Sequence, residues 1–275
     1  MSPLWRDEVG IYLTQRRHCL VRIGRGIRPT LLREENHSEA QQAPGWEAVL
    51  ALLEQRLAQP EWADARARIV IADQWVRYTV VPWSDSLSSA DERMAHAREL
   101  IASIFGDASN WAVSLSEAPP GASRLACAMP TALLESLRQL TARHGLKLAS
   151  VQPQLIAAYE TWRPSLPPSN AWFVSVEQGS MAAARLGRNG WDRVHVVRIG
   201  AEWLRELRRL QTFSRLASHN PQEGRVYVDA PHAWREVAAG TAAATADAGA
   251  LEWLEEPAGP LTTLQRLGRA RRMAA

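Results

Sequence analysis

Apolar positions near the start of the chain come in short strand-length runs. Val9–Leu13 and Cys19–Ile23 flank Thr14–His18, which predicts a hairpin, and Arg28–Leu32 offers a third strand. Glu34–Pro44 is polar and reads as a loop. Trp46, Val49, Leu50, Leu53 and Leu57 then recur at helical spacing, so 46–59 is expected as an amphipathic helix. Ile69–Ile71 and Val76–Val81 are β-branched runs around a short turn, the second stopped by Pro82. Ser88–Asp91 carries an N-cap signal for a helix reaching Phe105, with Gly106 ending it. Trp111–Leu115 and Arg124–Met129 read as strands joined by the Pro-Pro-Gly turn at 119–121. Thr131 is expected to cap a helix bearing Leu133, Leu134, Leu137 and Leu140, closed by His144-Gly145. Leu146–Val151 reads as a strand and Leu155–Trp162 as a short helix.

The Pro- and Ser-rich stretch 163–170 is the clearest boundary. Beyond it, Trp172–Val176, Met181–Leu186 and Trp191–Ile199 read as three strands, the last two joined through Asn189-Gly190, a pair suited to the positive φ angles of a tight turn. A helix over 201–216 and a strand at Arg225–Val228 follow. The Ala/Thr-rich stretch 238–250 is of low complexity, and Leu264–Arg272 is basic without an acid, read as a solvated helix end or tail. Both halves thus repeat hairpin strands, helix, strand, helix about a boundary near 165. Hairpins force antiparallel pairs, so the pattern predicts an α/β protein with mixed sheets.

A chain of 275 residues has room for about two domains. Its 46% apolar and 22% charged residues exclude a wholly disordered chain or a collagen-like repeat. Cys19 and Cys127 have no metal-ligand or redox spacing and read as reduced, buried thiols. No apolar run is long enough to span a bilayer, and the start, MSPLWRDEVG, lacks a signal-peptide pattern; a soluble, cytoplasmic protein is expected. All but one of the 32 basic residues are arginines, Lys147 being the single lysine.

Common catalytic motifs are absent. There is no G-x-S-x-G, since Gln178-Gly179-Ser180 lacks the second glycine, and no phosphate loop ending in Lys-Ser or Lys-Thr. Gly24-Arg25-Gly26 has Thr30 where a dinucleotide fingerprint needs its third glycine. The seven histidines show no metal-ligand spacing, so no metal or cofactor is expected, and His195 reads as a hydrogen-bonded strand residue. Arg205, Arg208, Arg209 and Arg215 are interrupted by Glu202 and Glu206, the pattern of a solvated helix face and not of a nucleic-acid binder.

The order of elements from about 69 to 200 resembles the actin-like proteins of type IV pilus and type II secretion machines, the PilM family and the cytoplasmic domain of the secretion L-protein. The likeness runs from Arg68–Trp83 through Trp111, Arg124–Pro130, His144-Gly145-Leu146 and Ser150–Trp162 to Trp172–Gly179. It ends at Val197-Arg198-Ile199-Gly200, which is similar to the family's Arg-x-Ile-Gly-Gly. It implies an actin-like (ribonuclease H-like), two-lobed α/β fold. Residues 1–165 would form a first lobe with a small inserted subdomain over about 68–145, and 166–275 a second, truncated lobe.

The resemblance also locates a nucleotide cleft and the ways in which this chain departs from it. Actin-like ATPases hold phosphates on two hairpin turns of the form Asp-x-Gly. Here the first turn, Ile11–Arg17 with Thr14 and Gln15 at its centre, has neither residue; the second reads Glu177-Gln178-Gly179. The late Gly-Gly near the adenosine is replaced by Asp229-Ala230-Pro231-His232. Thr14, Gln15, Glu177, Gly179 and Gly200 therefore mark a vestigial cleft, with hydrolysis not expected. What remains is a scaffold whose groove beside the inserted subdomain, over Arg68–Val81, Trp111–Leu115 and the 130–144 helix, would receive the cytoplasmic tail of a bitopic inner-membrane protein. Trp75, Trp83 and Trp111 are the candidate anchors. An assembly ATPase is a second expected partner, and the expected location is peripheral at the inner membrane. The alternatives are a sugar-kinase-like phosphotransfer enzyme using Glu177 as base, or an unrelated α/β interaction module.

Overall fold

The computed structural model describes residues 7–15, 17–24, 30–38, 45–177, 179–217, 224–231, 234–235 and 251–254. In chain order the elements are β1 (Glu8–Leu13), β2 (Arg17–Gly24), β3 (Thr30–Ser38), α1 (Trp46–Leu57), β4 (Arg66–Ile71), β5 (Arg77–Val81), α2 (Ala90–Phe105), β6 (Trp111–Leu115) and β7 (Arg124–Pro130). They continue with α3 (Thr131–Arg143), β8 (Lys147–Pro153), α4 (Gln154–Trp162), β9 (Ala171–Glu177), β10 (Ser180–Gly187), β11 (Gly190–Arg198), α5 (Trp203–Ala217), β12 (Arg225–Asp229) and β13 (Leu251–Trp253). Contacts group the chain into two units. One draws on Met1–Ala72 and Pro130–Thr161, the other on Asp73–Met129 and Trp162–Pro257. The stretches at 238–250 and 264–272 lie outside the described residues, as does Arg28 of the third predicted strand.

The first unit is built on a five-stranded sheet in the order β3-β2-β1-β4-β8. β1 is antiparallel to β2 and parallel to β4, which is parallel to β8. One face carries Val9, Ile11, Leu13, Leu20, Ile69 and Ile71, all buried, and α1 contributes Val49, Leu50, Leu53 and Leu57 to the unit's core. On the other face Cys19, Val21 and Val70 pack with Ala157 of α4. A bulge falls between Arg22 and Ile23. Arg22 there binds the Asp7 carboxylate at 2.9 Å and the Ala63 carbonyl at 3.0 Å.

The polar run 34–38, expected as a loop, belongs to β3. It pairs with β2 out to Ser38. As the sheet's outer strand it needs only one bonded edge, so its ladder does not require apolar alternation. Arg33 stacks 5.5 Å from the Trp62 ring and pairs with Glu35 and Glu61. The expected cap at Thr131 is also replaced. Pro130, with φ −55°, leads straight from β7 into α3, so Thr131 is the first helical residue and no side chain caps that end. Ser89 does cap α2: its Oγ accepts from the Glu92 amide at 3.1 Å, while Glu92 accepts from the Ser89 amide at 2.9 Å. Those amide and hydroxyl donors, the Ser89 amide foremost, hold the Glu92 carboxyl below its usual range.

The second unit repeats the topology. Its large sheet runs β11-β10-β9-β12-β13, with antiparallel pairs among β9, β10 and β11 and parallel pairs through β12. Trp172, Val174, Val176, Met181 and Ala183 pack on one face against Trp203, Leu204 and Leu207 of α5. A second sheet in the same unit, β5-β7-β6, is covered by α2 through Val81, Ala97, Leu100, Ala126, Val113 and Leu115. The runs 69–71 and 76–81 thus lie in different sheets, separated by a 3-10 helix, Asp73–Trp75, that packs on β10 and β11. Ser123 pins the β6–β7 connection to the Asn189-Gly190 turn. Its amide donates to the Asn189 carbonyl at 2.8 Å and its hydroxyl to the Trp191 carbonyl at 2.5 Å. Gly190 (φ 99°) allows this approach, because a Cβ there would lie 3.1 Å from Ser123.

Candidate functional site

The two sheets align residue for residue at their first hairpins. In β1–β2 the last pair is Leu13 with His18; in β9–β10 the pair Val176 with Met181 occupies the same place. Four residues lie between the partners in each case, so Thr14 corresponds to Glu177. The bulges correspond too, after Arg22 in β2 and after Arg185 in β10, each the sixth residue of its strand. This register puts Thr14 and Glu177 at one position of a duplicated hairpin, and both are buried.

The second turn closes tighter. Glu177 pairs directly with Ser180, whose hydroxyl donates to the Glu177 carboxylate at 3.2 Å. Gly179 has φ 86°, in the region that favours glycine, and its carbonyl accepts from the Ile199 amide at 3.1 Å. Gly200 follows β11 with open space where a Cβ would stand. Thr14 and Gln15 thus belong to the first unit, and Glu177, Gly179 and Gly200 to the second.

A polar line in the second unit, buried at its Asp73 end, was not singled out in the sequence. Asp73, almost fully buried, accepts from the Tyr78 hydroxyl at 2.5 Å. Tyr78 pairs across the ladder with Cys127, whose sulfur lies 2.9 Å from the Ser114 hydroxyl. Burial first, then the charges of Asp73 and its neighbours including Glu177, pushes the Tyr78 hydroxyl well above its usual range. Burial likewise raises the Cys127 thiol, although that residue keeps partial exposure where a buried one was expected. The one cue in the sequence is an aspartate placed just past an apolar strand. The line holds protons in place; neither the tyrosine nor the thiol is poised to ionise near neutrality.

His195 departs from expectation. Its Nε2 is buried without a hydrogen-bond partner among the described residues, and burial, then Arg193, holds the ring's pKa down. Of the three candidate anchors, Trp75 is 8% exposed and lies in the interior of its unit. Trp83 and Trp111 are half-buried. The Trp83 indole donates to Asp85 at 3.0 Å. Among the described residues no cluster of three metal-ligating side chains occurs, and no helix is long and apolar enough to cross a membrane.

No protein-family model matches this chain, and no curated protein matches it either. Solved structures do. The chain is similar to a Bacteroides thetaiotaomicron protein of actin-like ATPase fold and unknown function, at 14% identity and TM-score 0.62, over 97% of this chain and 98% of that one. It is similar to the cytoplasmic domain of EpsL, an inner-membrane component of the Vibrio cholerae type II secretion system, at 12% identity and TM-score 0.59, over 97% and 95%. It also matches the PilM–PilN type IV pilus biogenesis complex at 14% identity and TM-score 0.65, over 90% and 88%. At these identities the likeness is one of architecture, and it agrees with the duplicated mixed sheets described above: the chain has the actin-like α/β fold.

Proposed function

We propose that this protein is a non-catalytic, actin-like scaffold of a type IV pilus or type II secretion-like assembly, peripheral at the cytoplasmic face of the inner membrane. In this reading it binds the cytoplasmic tail of a bitopic membrane subunit and connects it to an assembly ATPase. The observation that carries the reading is the chemistry at the two corresponding hairpin turns. Where the ATPase pattern wants an aspartate in each, this chain has Thr14 in one and Glu177 in the other. A threonine supplies no carboxylate to orient a metal-bound water. Glu177, one methylene longer than aspartate, already accepts from Ser180 in its own turn. The likeness to EpsL and to PilM–PilN supports the class of machine.

The test is isothermal titration with ATP and Mg²⁺, together with membrane fractionation and in-cell cross-linking. No nucleotide binding is expected, along with inner-membrane recovery that depends on the machine's membrane subunits. Binding of ATP at micromolar strength would overturn the non-catalytic reading. Turnover that Glu177→Ala abolishes would place the protein among the phosphotransfer enzymes instead.

A further inference from the structure

We infer that the outer edge of β6 is a docking strand for an extended peptide carrying alternate apolar residues and an acidic group; this rests on the scaffold reading and names the surface that would serve it. β6 is the terminal strand of the β5-β7-β6 sheet. Ser116 donates its amide to Leu125, and Ser114 faces Cys127, so β6 and β7 run antiparallel with Ser116, Ser114 and Ala112 turned toward β7. The amide and carbonyl groups of Val113 and Leu115 therefore point to the open edge, where no hydrogen bond among the described residues reaches them.

Other sheet edges carry charge or cover. β3 bears Arg33, Glu34 and Glu35, β8 begins with Lys147, β13 holds Glu252, and β11 lies against β5. β6 reads Trp-Ala-Val-Ser-Leu, with no charge and no proline, so it lacks the usual protection against strand addition. Beside it, Ile104 and Phe105 at the end of α2 are 56% and 41% exposed. Between them and the strand sits Arg77, its guanidinium 5.9 Å from the Phe105 ring and 5.4 Å from the Trp111 ring. No carboxylate among the described residues pairs with Arg77, whose polar contact is the Val76 carbonyl at 3.4 Å.

These features select the occupant. A strand added to β6 bonds to Val113 and Leu115 and places every second side chain on the α2 face, beside Trp111, Val113 and Leu115. There, apolar side chains meet Phe105 and Ile104, and a carboxylate reaches Arg77. The opposite face offers Ala112 and Ser114, suited to small side chains.

The experiment uses the full chain and labelled, end-blocked hexapeptides alternating valine and threonine. One pair carries a glutamate at either end, a second pair carries lysine there, and a third is N-methylated at alternate peptide bonds. By fluorescence anisotropy the better glutamate peptide should bind about tenfold more tightly than its lysine counterpart, and the N-methylated one should not bind. Amide exchange at Val113 and Leu115 should slow on binding. Arg77→Gln should erase the preference for glutamate, and Val113→Pro, which removes an outward amide, should abolish binding. Should Val113→Pro fail to fold, Arg77→Gln and the exchange data carry the test. Equal binding of both charges, no binding, protection elsewhere, or a sedimenting dimer that already protects Val113 and Leu115 would overturn the proposal. Any of these outcomes without ATP binding and with membrane recovery intact leaves the scaffold reading standing; ATP binding removes that reading instead.

Discussion

The two five-stranded sheets share strand order, strand direction and even the position of a bulge, yet they are buried differently. In the first, β1 and β4 mix buried with half-buried positions. In the second, every residue of β9 and all but the last of β10 are buried, including Ser175, Glu177 and Ser180. Cover alone does not distinguish them, because α1 and α4 pack on the first sheet as well. α5 packs on one face of the second sheet, and the 3-10 helix Asp73–Trp75 packs on β10 and β11 within the same unit. Small side chains at Ala182, Ala183 and Ala184 suit such close packing on a strand. One topology is thus compatible with two burial regimes, and the one that traps polar groups makes them costly to disturb.

That contrast can be broken most severely at Trp203, fully buried beneath the second sheet. Trp203→Ala should cost about 3–5 kcal/mol and, in a denaturant titration followed by amide exchange, release the second unit while leaving β1 and β4 protected. Tyr78→Phe comes next, because it takes a donor from the buried Asp73; a loss of about 1–3 kcal/mol is expected in the same titration. Its pH dependence gives a sharper check. The raised pKa of Tyr78 means that its contribution is intact below about pH 10, the unfolded value, and is lost as pH rises beyond it. A wild-type chain should therefore lose stability in that alkaline range more steeply than Tyr78→Phe does.

Smaller effects separate the two turns. Gly179→Ala puts a Cβ at φ 86° with no neighbour to clash, so the backbone alone should cost about 1–2 kcal/mol, read as a lower melting temperature. Thr14→Ala, at the corresponding hairpin of the first unit, should be milder. Ser123→Ala, which removes one hydroxyl bond to the Trp191 carbonyl, should cost about 1 kcal/mol and speed exchange around Asn189 and Gly190.

Most elements were legible in the chain because their cues are local. The N-cap signal at Ser88–Asp91 announces the start of α2, Gly106 its end, and Asn189-Gly190 a tight turn. Of β3 only the start was legible, since its polar part, 34–38, takes its pairing from β2 and sits on a sheet edge. The cap at Thr131 misled because Pro130 already sets the entry into the helix. The hairpin at Thr14–His18 was read from the pattern, but the assignment of the two turns to a nucleotide cleft came by resemblance alone. That Thr14 and Glu177 are corresponding positions needed the registers Leu13–His18 and Val176–Met181. The Asp73–Tyr78 pair left only the aspartate past an apolar strand as a cue, because five residues of separation say nothing about burial.

Periodicity and turn chemistry determined by themselves that this is an α/β chain of two repeated halves with mixed sheets and without a familiar catalytic motif. Such signals act between residues a few positions apart. Tertiary structure alone decided that Asp73–Met129 packs with the second half, that Asp73, Glu177 and Asp229 are buried there, and that β6 keeps an open edge. Those outcomes depend on which surfaces meet after the chain has folded, and desolvation and strand pairing between distant segments leave no periodic mark in the order of residues.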